Sequence, residues 1–92
     1  MSTKVYTETS PARLLLVDEH PLLRRAVAEL LSLESDLSVV GQASNGQEAL
    51  DFLAKNNVDL VILDHKMPIL TGMETLKEIK ARNFNTKTIL FT

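Results

Sequence analysis

Residues 58–68 read V-D-L-V-I-L-D-H-K-M-P. This is an apolar run of strand length that ends on Asp64 and is broken four residues later at Pro68, so it describes a strand that delivers a carboxylate to the end of a sheet. The same pattern occurs earlier, where Leu14-Leu15-Leu16-Val17 ends on Asp18-Glu19. Runs without polar alternation suit strands covered on both faces, as parallel sheets require. Open α/β sheets bind ligands just beyond the carboxyl ends of such strands. Two neighbouring strands of this kind would aim Asp18, Glu19 and Asp64 at one spot. Carboxylates that converge repel one another, and the arrangement asks for a cation.

Outward from these strands the chain alternates between strand and helix patterns. Residues 1–11 are polar and aperiodic and read as a flexible leader, with the domain at 12–92. After the strand at 13–17, Pro21 stands where a first helical residue belongs, and Leu22, Leu23, Ala26, Val27, Leu30 and Leu31 recur on one helical face, predicting a helix over 21–34. Residues 37–43 return to a β pattern. Ser44 with Gln47, or Asn45 with Glu48, forms a capping box for a second helix with Ala49, Leu50, Leu53 and Ala54 inward. Beyond the strand at 59–63, Thr71 and Glu74 cap a third helix, lined by Met73, Leu76 and Ile79 and ending near residue 81. A fourth strand spans 88–91. The order β-α-β-α-β-α-β, with right-handed crossovers, makes a parallel sheet with helices on both faces.

Composition narrows the function classes. At 92 residues, 45% apolar and 24% charged, the chain is an ordinary single globular domain. No apolar run approaches the roughly 20 residues of a membrane helix, and the first ten residues lack a secretory apolar region. The absence of cysteine excludes disulfides and thiolate metal sites and is compatible with the cytoplasm. With a net charge of −2 and scattered Lys and Arg, nothing here favours direct nucleic-acid binding.

Four segments, L-L-L-V-D-E-H-P-L-L-R-R, A-S-N-G-Q-E-A-L, D-L-V-I-L-D-H-K-M-P-I-L-T-G-M-E-T-L and T-I-L-F-T, together resemble the receiver domain of two-component response regulators. They run collinearly from about Arg13 to Thr92, and Asp-Glu-His-Pro with Ala-Ser-Asn-Gly is similar to the NarL/LuxR-type branch. The resemblance implies a flavodoxin-like (CheY-like) doubly wound parallel sheet. It implies that Asp64 is the phosphoacceptor, Thr92 the switch hydroxyl, and Asp18, Glu19, Asp64 and the Lys66 backbone carbonyl the protein ligands of Mg²⁺. The expected partner is a sensor histidine kinase, with DNA reached only through a helix-turn-helix domain that these residues do not include, and no external substrate is turned over.

The chemistry of the residues is consistent with that assignment. A carboxylate attacks an anionic phosphoryl group poorly unless a divalent ion neutralises charge and aligns oxygens, and Mg²⁺ needs only one or two carboxylates beside its waters. Blander roles exist for each residue. Asp18 and Glu19 also suit the positive end of the first helix, His20 reads as opening that helix rather than as a ligand since Mg²⁺ prefers oxygen, and Arg24-Arg25 reads as a solvated face. Gly46 and Gly72 read as backbone devices, and Met67 and Met73 as packing residues.

Two other functions compete with the leading one. A non-phosphorylated interaction or dimerisation module needs only the fold, whereas a dehalogenase-type phosphatase wants an aspartate where Lys66 stands. The family's last helix-strand-helix, with a lysine for the phosphoryl oxygens, is not among the 92 residues, so either a carboxy-terminal segment or self-association is expected to complete the fold. Lys66 could partly replace that lysine. Apolar surface is then expected to be open on the strands at 13–17 and 59–63, with the strand at 88–91 as an apolar edge.

Overall fold

The computed structural model describes residues 5–91. Its order is β1 (Ala12–Val17), α1 (Pro21–Leu31), β2 (Leu37–Ala43), α2 (Gly46–Lys55), β3 (Leu60–Asp64), α3 (Gly72–Ala81) and β4 (Lys87–Phe91). The strands form one sheet in the order β2-β1-β3-β4, and every pairing is parallel. The first crossover runs to one side of β1 and the second to the other. That reversal of winding sets the carboxyl ends of β1 and β3 side by side, with Val17 opposite Leu63. Before β1, residues 5–11 carry neither helix nor strand, and Thr7 and Ser10 exchange backbone hydrogen bonds of 3.0 and 3.2 Å.

Strand pleating sorts the core into two layers. Leu15, Val17, Val61 and Leu63 point toward α2 and α3 and pack with Ala49, Leu50, Leu53, Met67 and Ile79, while Leu14 and Leu16 face α1. Burying these apolar side chains, each worth roughly 1.5–3 kcal/mol, is the main driving force holding the layers together.

Local signals explain most element ends. Asn45 Oδ1 accepts the Glu48 N–H at 2.9 Å, and Glu48 Oε1 in turn accepts from the N–H and hydroxyl of Ser44, both at 2.9 Å. Of the two overlapping caps at this helix, the Asn45–Glu48 pair is the one formed. Thr71 and Glu74 complete a reciprocal capping box at 3.1 and 2.9 Å. Helix α1 ends three residues before the expected boundary: the Ser32 hydroxyl donates to the Ala28 carbonyl at 2.8 Å, and the chain leaves through tight turns at Leu33 and Glu34. Such a side-chain bond competes with helix continuation.

The inward faces of the helices also differ from the periodic expectation. Ala54 and Met73 face solvent, whereas Thr75 is fully buried, its hydroxyl donating to the Thr71 carbonyl at 2.8 Å. Met67 packs in the core as expected. Of α1, only Ala28 is buried, and Leu22, Leu23 and Leu30 are exposed. The open apolar surface therefore matches the expectation at the edge strand and in part at β3, but not at β1. Leu14 and Leu16 of β1 are only 1% exposed, beneath α1, whereas Ile89 of β4 is 51% exposed and Ile62 and Phe91 are half-buried.

Candidate functional site

Asp18 is the first residue after β1, and its N–H donates to the Ala43 carbonyl at 3.0 Å, so the pairing of β1 with β2 carries on into the loop. Asp64 is the last residue of β3, opposite Phe91 of β4. The following turn is held by three backbone bonds, His65 N–H to the Phe91 carbonyl at 2.8 Å, Leu70 N–H to the Pro68 carbonyl at 2.8 Å and Gly72 N–H to the His65 carbonyl at 2.9 Å. Gly72 has no room for a side chain, since a Cβ there would lie 2.5 Å from the Asp64 carbonyl oxygen and from Leu90 Cδ1. The start of α3 thus rests directly on the backbone of Asp64. The N–H of Lys66 donates to Asp64 Oδ1 at 3.2 Å, and the Lys66 side chain is exposed.

Asp18 and Asp64 are 3% and 7% exposed, an unfavourable setting for carboxylates unless charge or hydrogen bonds compensate them. The compensation comes from an unexpected residue. His20 donates its backbone N–H to Asp18 Oδ1 at 2.9 Å, and its ring Nδ1 lies 2.8 Å from the same oxygen. The hydrogen bond to Asp18, aided by the nearby carboxylates of Asp18, Glu19 and Asp64, holds the imidazole above its ordinary 6.5 against a smaller opposing effect of desolvation. Ligand atoms of Asp18, His20 and Asp64 all lie within 4.8 Å of one another, so these three could hold a metal ion.

The structure brings Asp18 and Asp64 together as expected, but it sets Glu19 apart. The Glu19 side chain is 40% exposed, with its carboxylate 3.9 Å from His20 Nε2, and it is not part of the three-residue group. Thr92 lies outside the described residues. His20 does open α1, accepting the Arg24 N–H on its carbonyl at 2.8 Å, but its ring bonds to Asp18 instead of capping the helix. Arg25 is solvated beside Glu29. Arg24 is not: it donates from Nη1 to the Asp18 carbonyl at 2.6 Å and from Nε to Gln42 Oε1 at 3.2 Å, tying the loop after β1 to β2. The sequence did carry a signal for His20, because a side chain two residues after an aspartate in a tight turn can reach its carboxylate.

A family model described as the response regulator receiver domain matches residues 14–92. The nitrate/nitrite response regulator protein NarL of Escherichia coli strain K12 is 38% identical over 82 residues, covering 89% of this chain and 38% of that protein. Among solved structures, the signal receiver domain of NarL from Mycobacterium tuberculosis superposes with a TM-score of 0.83 at 31% identity, over 87% of this chain and 64% of that one. A LuxR-family DNA-binding response regulator from Staphylococcus aureus gives a TM-score of 0.80 at 33% identity, over 86% and 66%. The chain thus spans about two fifths of the length of the curated relative.

Proposed function

Because this chain belongs to the response regulator receiver family, we propose that it is a cytoplasmic phosphoacceptor module in which Asp64 takes a phosphoryl group from a sensor histidine kinase. The observation that carries the reading is the placement of Asp64: a buried carboxylate at the end of β3, with an oxygen within 4.8 Å of a carboxylate oxygen of Asp18 and a ring nitrogen of His20. A carboxylate oxygen of Asp64 bonds to phosphorus as the phosphorus–nitrogen bond of the donor phosphohistidine breaks, and the electron pair remains on the imidazole nitrogen. The donor is consumed stoichiometrically, so no external substrate is turned over.

Asp18 and Asp64, with Glu19 reaching in from the rim and the Lys66 backbone carbonyl, would hold Mg²⁺, and the oxygen-rich donor set fits that ion. When bound, Mg²⁺ neutralises the phosphoryl oxygens and aligns them for in-line transfer. Arg24 fixes the Asp18 backbone, and Gly72 lets α3 hold the Asp64 backbone, so both carboxylates are oriented before phosphate arrives. Thr92 would then supply the switch hydroxyl. In the complete protein the receiver would control transcription through an output domain, as the resemblance to LuxR-family DNA-binding regulators suggests.

Incubation with acetyl phosphate and Mg²⁺, followed by intact mass measurement, tests the assignment. The parent chain should gain about 80 Da, the mass of one phosphoryl group, and Asp64→Asn should not. An adduct of undiminished yield on the variant would overturn it.

A further inference from the structure

Resting on the reading of Asp18 as part of the phosphoryl-transfer site, we propose that Arg24 and Gln42 act as one positioning pair for Asp18, and that a bulge in β2 brings them together. The register locates the bulge. Leu14 pairs with Val39 but Leu15 pairs with Gly41, which leaves Val40 as an extra residue; beyond it, Leu16 pairs with Gln42 and Val17 with Ala43. Paired residues of neighbouring strands share a face of the sheet, so Gln42 lies with Leu16 on the α1 side. Without the extra residue Gln42 would stand opposite Val17 and face α2 and α3, because a one-residue slip turns every side chain over. Bulges next to functional sites re-aim side chains in this way. The bulged residues also suit the other face: Val40 packs against the core there, and Gly41 has no side chain where a Cβ would lie 2.6 Å from the Phe52 ring.

Both backbone groups of Asp18 are then held by consecutive residues of β2. Ala43 accepts the Asp18 N–H on its carbonyl at 3.0 Å. Gln42 Oε1 accepts from Arg24 Nε at 3.2 Å, and Arg24 Nη1 donates to the Asp18 carbonyl at 2.6 Å. The peptide groups on either side of the Asp18 Cα have little freedom left, and they set the direction of its carboxylate. The guanidinium matters for its shape: a rigid planar fork serves Gln42 and Asp18 at the same time, whereas a lysine ammonium is a point charge on a flexible stem. The pair acts through the Asp18 backbone. Groups that orient a ligating carboxylate typically change metal affinity by about 10- to 100-fold when removed.

The test is calorimetric titration of the whole 92-residue chain with Mg²⁺, accompanied by thermal melts and by ¹⁵N NMR of the exchange of the Arg24 Nε–H with water. The variants are Arg24→Ala, Arg24→Lys, Gln42→Leu, Gln42→Glu and the double variant Arg24→Ala, Gln42→Leu, with Arg25→Ala as the control. Arg24→Ala, Arg24→Lys and Gln42→Leu should each weaken Mg²⁺ binding by roughly tenfold, and the double variant should lose no more than Arg24→Ala, as expected of residues that work as a unit. Gln42→Glu keeps an oxygen acceptor for Nε and should bind at least as tightly as the parent, while Arg25→Ala stays within about twofold. Gln42→Leu should also speed exchange of the Arg24 Nε–H. If Arg24→Ala fails to fold, Gln42→Leu against Gln42→Glu makes the same comparison. Parent-like Mg²⁺ affinity in Gln42→Leu, even with a lowered melting temperature, overturns the proposal, and so do losses that add in the double variant. Failure of the underlying reading looks different: Asp64→Asn would then bind Mg²⁺ as the parent does.

Discussion

At the scale of single residues, Ile69 stands out. It follows Pro68 in the turn after Asp64 and has a φ of 71°, a left-handed conformation that costs a β-branched side chain roughly 1–2 kcal/mol. Little burial offsets this, because Ile69 is 74% exposed. Asn83 adopts a similar φ of 57° after α3, but asparagine tolerates that region far better. Ile69→Gly should therefore stabilise the fold by several tenths to about 1 kcal/mol, after allowing for glycine's greater freedom in the unfolded chain. Urea denaturation measures this directly, and a loss of stability would show that the Ile69 side chain packs to some purpose at the rim of the site.

At the scale of elements, the helix caps connect stability to pH. Hydrogen bonds from the Ser44 backbone, then from its hydroxyl, hold the Glu48 carboxyl below its ordinary 4.5, and Thr71 does the same for Glu74, again chiefly through its backbone N–H. A carboxyl depressed in the folded state adds stability above its unfolded value, and that stability disappears as the pH falls through the folded value. The parent should accordingly lose stability as the pH drops below about 4.5. The double variant Glu48→Gln, Glu74→Gln should be less stable at neutral pH and show a flatter acid limb in thermal melts collected from pH 6 to 3. An acid limb as steep as the parent's would mean that other carboxylates dominate.

At the scale of the whole molecule, the two sheet faces are unequally covered. Helices α2 and α3 seal one face, whereas α1 covers β1 and leaves an apolar hollow of about 310 Å³ beside β3 and β4, lined by Leu16, Leu23, Val27, Ile62 and Phe91, with Asp18 and Arg24 at one end. Leu22, Leu23, Leu30 and Ile89 add exposed apolar surface to this side. Contiguous patches beyond a few hundred Å² are unusual on monomers, so the 92-residue polypeptide should self-associate through this side. Sedimentation across a concentration series should show dimers or larger species, reduced in Leu23→Lys and Ile89→Lys. A parent that stays monomeric throughout would refute the expectation.

The parts legible in the sequence were those governed by neighbours along the chain. Apolar runs ending on Asp18 and Asp64 located two of the strands, and the overlapping caps at Ser44 and Asn45 and the cap at Thr71 located the starts of two helices, because capping and strand length are settled within a few residues. Family resemblance then supplied expected roles for Asp64, Asp18 and Glu19. Tertiary structure decided what depends on elements meeting across the fold. Periodicity could not tell that Thr75 rather than Met73 turns inward, since Gly46 of α2 comes so close to Thr75 that the two must pack together. It could not assign Arg24 to the loop after β1, because Gln42 comes from another strand. Nor could it place the His20 ring with both aspartates: only the adjacency of β1 and β3, with Val17 opposite Leu63, carries Asp64 to within reach of a histidine that local sequence had assigned to the start of a helix.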